Sequence, residues 1–187
     1  RLRRVLGHDD SLLLDGRRLT LNPTLCWVDL WSFERLLSEV QATLHNTTLP
    51  DLTVLLAQTE RFLRIYQGDF LGREECRPWA LPVQERLRNR LGNALADVGR
   101  RLETGSLCDK AVRLYQRAIE LEPLAENWYR RLMGCLQQQG EVAAALCVYR
   151  RCCEALKVGL QVAPSRETEA IRVALESVSG FQYPPSS

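Results

Sequence analysis

Seven cysteines, two histidines and an arginine-rich opening are the residues of this 187-residue chain whose types could do chemistry. The cysteines stand at 26, 76, 108, 135, 147, 152 and 153, with no C-x-x-C pair. A zinc site or a secreted disulfide framework would show paired, regular spacing. Cys147, Cys152 and Cys153 fall within a helical pattern, where cysteine acts as a small buried hydrophobe. The thiols therefore read as reduced and structural, which points to a cytosolic compartment. His8 lies in a polar turn and His45 at a helix end, and neither belongs to a nucleophile, zinc or acid–base motif. There is no P-loop and no G-x-G-x-x-G, and the carboxylates occur mainly on charged helix faces. The expectation is a protein with no catalytic residues, no metal and no cofactor.

The arginines are the other candidates. Arg1, Arg3 and Arg4 lie on a basic helical stub, and Arg17 and Arg18 follow the break at Asp15–Gly16 between two short apolar runs. Such side chains reach phosphates, which supply most non-specific affinity for nucleic acid. Asp9, Asp10 and Asp15 dilute this patch, and the net charge of the whole chain is only +2, so the protein is no polycation.

Hydrophobic residues at 45% and charged residues at 26% are ordinary for a soluble globular protein. The length suits one domain, or one domain with part of a neighbour. No apolar run approaches the ~20 residues that span a bilayer, so no membrane partner is expected. No signal peptide is visible, and the missing initiator Met reads as a piece of a longer protein.

Helical periodicity begins at Val28. Phe33, Leu36, Leu37, Val40 and Leu44 recur on one face, then Leu52, Leu55, Leu56, Thr59, Phe62, Leu63 and Tyr66, with Pro50 in the first turn. GDFLGREECRPW breaks the pattern and reads as a loop between two helical blocks. A long helix carrying Leu87, Leu91, Ala94, Leu95, Val98 and Leu102 closes at Gly105. Helices are expected next over about 109–122, 125–139 and 141–156, and a last one from Ser165, an N-cap after Pro164. The tail FQYPPSS, within 180–187, reads as flexible.

Two of these helical pairs repeat. A shift of 34 residues aligns Ala111 with Ala145, Tyr115 with Tyr149, Arg117 with Arg151 and Glu120 with Glu154, and sets Ala118 on Cys152. Thirty-four is the period of the tetratricopeptide helix-turn-helix unit, in which small residues let paired helices approach. Gly99, Ala111, Tyr115, Ala118 and Pro123 stand where such a repeat wants them, whereas Lys157 replaces the second proline. Stacked pairs leave a concave groove that binds partners. The expected groove positions are Asn93, Ala96, Arg100, Asn127, Arg130 and Gln137. Ala96 and Arg100 do not reproduce the Lys/Asn carboxylate clamp of chaperone adaptors.

The order YQGDFLG (66–72), Trp79, ERLRNRL (85–91), the two repeats and VGLQVAPSRETEAI (158–171) resembles the bacterial transcriptional activator domain. The resemblance covers about residues 27–178. That domain is an all-helical, tetratricopeptide-like module beside OmpR-type winged-helix domains, found in antibiotic-pathway regulators of actinomycetes and in larger MalT-like activators. CWVDLWSFERLL (26–37) resembles the link out of the winged helix, RLRRVLG the tail of its recognition helix, and SLLLDGRRLTLNP its wing. The resemblance implies an all-α fold, a right-handed tetratricopeptide-like superhelix preceded by a short β-hairpin remnant of a winged-helix domain. Residues 1–26 would be that remnant, 27–179 the activator domain and 180–187 a flexible tail.

The function so implied is that of a cytoplasmic regulatory and protein-interaction module of a bacterial DNA-binding activator. It would mediate oligomerisation, RNA polymerase contact or signal transmission. DNA would be bound through the complete winged helix, weakly or not at all by this chain alone. A tetratricopeptide-type scaffold with no DNA role shares the same fold, and a small-ligand sensor using the groove is a third reading.

Overall fold

The computed structural model describes residues 2–45, 51–68 and 78–179. Expectations that fall on Arg1, Pro50, Cys76, most of the GDFLGREECRPW loop and the tail from Gly180 lie outside the described residues. The fold is all-α, preceded by a two-stranded antiparallel hairpin. The chain divides into two compact units, Arg1–Gln67 and Gly68–Ser187.

The first unit opens with the five-residue helix α1 (Leu2–Leu6) and a 3-10 turn, Asp9–Ser11. Strands β1 (Leu12–Asp15) and β2 (Arg18–Leu21) pair Leu12 with Leu21, Leu14 with Leu19 and Asp15 with Arg18. The loop is Gly16–Arg17, and Gly16 takes the φ of +57° that a tight hairpin needs and that costs glycine nothing. Because paired residues two apart share a face, Leu12, Leu14, Leu19 and Leu21 form one apolar ladder. At its outer end Leu14 is 69% and Leu19 54% exposed. The base is tied by polar bonds instead. Asn22 N–H donates to Ser11 O (2.9 Å) and Asn22 Nδ2 to Asp10 O (2.9 Å).

Helices α2 (Asp29–His45) and α3 (Leu52–Ile65) pack on each other through the apolar faces read from the sequence. Leu36, Leu37, Val40 and Leu55 are buried, and Phe33 meets Phe62 edge-on at 6.3 Å and Tyr66 at 5.4 Å. Asp51 caps α3 by accepting from the Thr53 N–H at 2.8 Å.

The second unit stacks α4 (Leu81–Thr104), α5 (Cys108–Leu121), α6 (Glu126–Gln138), α7 (Val142–Leu160) and α8 (Arg166–Ser179), each against the next. The 34-residue period survives in the backbone. α4 ends at Thr104 and α6 at Gln138, while α5 begins at Cys108 and α7 at Val142. Both first helices end in the same turn. Leu107 N–H reaches Leu102 O (2.9 Å) as Glu141 N–H reaches Leu136 O (2.9 Å), a Schellman closure. Gly105 is the C-cap, as expected, but the left-handed residue is Ser106 at φ +57°, and its equivalent is Gly140 at φ +78°.

Proline explains the one large difference between the second helices. α5 stops at Leu121 ahead of Pro123, which cannot continue a helix. Lys157 imposes no stop, so α7 runs past the expected end at Leu156 to Leu160 and closes on Gln161 at φ +57°. Ala111, Ala118, Ala145 and Cys152 are buried at the crossings, as small residues there must be. Cys147 is not: it lies exposed on α7, although the helical pattern suggested burial.

Two substitutions test these joints. A methyl group at residue 99 would collide with the Tyr115 phenol. Gly99→Ala is expected to lower the urea midpoint, because overpacking costs ~1–3 kcal/mol and helix propensity returns only ~1. An unchanged or raised midpoint would show that the joint opens without cost. Ser106→Gly is expected to raise stability by about 0.5–1 kcal/mol, since glycine carries no left-handed penalty. A fall in the midpoint would refute it.

Candidate functional site

The side chains that join the helices of the second unit form two related polar clusters, each built around one of the repeated tyrosines. Tyr115 is buried where α5 crosses α4, in the space that Gly99 leaves open. Its hydroxyl donates to Glu103 of α4, and its ring lies 6.2 Å from Trp128 of α6 in a stacked arrangement. The Arg131 guanidinium sits 5.9 Å from the ring centroid and 3.6 Å from the Glu103 carboxylate. Burial, reinforced by the Glu103 carboxylate, pushes the phenol well above its ordinary pKa, so it remains a neutral donor.

Met133, fully buried, takes the position equivalent to Gly99 in the second repeat. It offers no such recess, and Tyr149 is only half-buried. Its hydroxyl donates to Glu169 of α8, with Arg172 of α8 at 5.8 Å from the ring. Arg172 Nε donates to Glu169 Oε2 (3.0 Å) and its Nη1 to Glu176 (2.6 Å). The terminal helix thus supplies both the acid and the base around Tyr149.

A third set of contacts holds the start of α8 on α6. Glu126 Oε2 accepts from the Ser165 N–H (2.9 Å), the Ser165 hydroxyl (2.8 Å) and the Thr168 hydroxyl (2.6 Å). Arg130 Nη1 donates to the same two hydroxyl oxygens at 3.2 and 3.1 Å. Ser165 stands at the helix start as expected, but its hydroxyl is shared with another helix. Burial pushes the Glu126 carboxyl up. The hydrogen bonds from Thr168 and Ser165 and the Arg130 charge outweigh it, so its pKa lies below the ordinary carboxylate value. Glu169 is lowered by the same balance, with Tyr149 and Arg172 overcoming its burial.

Of the groove positions read from the sequence, Asn93, Arg100 and Asn127 are exposed and Gln137 half-buried. Arg100 pairs with Asp97 on its own helix. Ala96 is half-buried, and of the six positions Arg130 is the one drawn into a cluster. Among the proposed phosphate-reaching residues, Arg3, Arg4, Arg17 and Arg18 are all exposed; Arg17 lies in the hairpin loop and Arg18 opposite Asp15. The sequence reading missed Glu103, Arg131, Glu126, Thr168 and Arg172. The repeated tyrosines and the P-S-x-E-T run were the available signals.

These clusters fix geometry and present no reactive group. Burial pushes the thiols of Cys135 and Cys152 up to about 11 and about 12, so both stay protonated at neutral pH. Among the described residues no group of three or more His, Cys, Asp or Glu side chains is placed to hold a metal ion, and no helix is long and apolar enough to cross a membrane.

The second unit is a stack of paired helices joined by polar clamps. Residues 28–175 match the bacterial transcriptional activator domain, and the chain belongs to that family. The family is regulatory rather than enzymatic, and the chain is a module of the bacterial transcriptional activator type. A comparison with curated proteins found no match.

Acid should loosen α8. Glu126 and Glu169 have folded-state pKa values below the unfolded ~4.3, so their contribution is full above that pH and is lost as pH falls through the folded values. Urea midpoints between pH 7 and pH 3 should fall more steeply for the native chain than for Glu126→Gln. Parallel curves would remove Glu126 from the acid response.

Proposed function

We propose that this chain is the regulatory and protein-interaction part of a cytoplasmic bacterial activator whose DNA contact is made by a winged helix including residues 1–26. The helices of 27–179, read as a tetratricopeptide-like superhelix, would receive protein partners, RNA polymerase or a second copy, on the face bearing Asn93, Arg100, Asn127, Arg130 and Gln137. The observation that carries the reading is the order of elements. A basic helix and a hairpin run through a W-V-D link into helices that the activator-domain family matches.

Hairpin chemistry supports the wing assignment. An isolated two-stranded hairpin is marginal in water, and a leucine ladder exposed at its outer end needs a cover such as the rest of a winged-helix core. Arg17 and Arg18, exposed at the hairpin loop, would meet phosphates if the hairpin is a wing, with Arg3 and Arg4 on the preceding helix. Asp15 opposite Arg18 weakens any contact that the hairpin makes alone.

Fluorescence anisotropy against salt tests this directly. A chain extended upstream by about one small domain should bind DNA with a steep salt dependence, and the present chain feebly or not at all. Arg17→Ala with Arg18→Ala in the extended chain should reduce the slope of log K against log salt by about 2, one per phosphate contact. If the extended chain binds no DNA, including genomic fragments, the activator reading gives way to a scaffold without a DNA role.

A further inference from the structure

We draw no further inference here: the strongest candidate, the surface patch of exposed apolar side chains Leu124, Val158, Leu160 and Val162 where the α5–α6 turn meets the end of α7, carries nothing because no observation in the structure shows what covers it.

Discussion

The Tyr115 phenol occupies the space where Gly99 has no side chain, and the joint between α4, α5 and α6 is built on that fit. Without a Cβ at 99, the ring enters the helix pair deeply enough for its hydroxyl to reach Glu103 on the same helix. The carboxylate then holds Arg131, and the ring takes Trp128 against one face. Ala111 and Ala118, one turn to either side of Tyr115, keep α5 close enough for this to happen. A buried polar cluster of this kind is costly if half-satisfied and specifying if complete. Here the donor, the acceptor and the cation are all supplied.

The second repeat shows what happens when that condition is relaxed. Met133 fills the place of Gly99, and Tyr149 turns its hydroxyl to Glu169 on α8. Lys157 fills the place of Pro123, and α7 gains length before the chain turns. Met133 fills the recess, Gln137 stands where the first repeat has the Glu103 acceptor, and Lys157 removes the stop that would set the next helix in strict register. α8 answers these changes, at a position the 34-residue period does not dictate and with contacts that Glu126 and Arg130 had to provide.

Much of this was legible in the chain. Apolar spacing placed α2 to α7 to within a few residues, and the 34-residue shift located the small residues that are buried at the crossings. The hairpin followed from Asp15–Gly16. Gly105 was read as the C-cap and is one, while the left-handed residue that follows it, Ser106, had no signal of its own, because the turn geometry is set by the six-to-one bond to Leu102. Cys147 shows the limit of periodicity, which reports that a helix forms and not which residues on its margin are covered. The polar clusters were the least legible. Glu103 and Arg131, or Glu126 and Thr168, come from helices far apart in sequence, and no local pattern announces that they meet.

The two kinds of joint imply different mechanical behaviour. Burial of apolar surface is non-directional and depends little on the exact position of any one atom, so α4, α5 and α6, with seven, five and six buried residues, hold together through many small contributions as well as through the Tyr115 cluster. Hydrogen bonds to ionised groups are directional and few, and each lost bond at Glu126 or Tyr149 removes a large share of what retains α8.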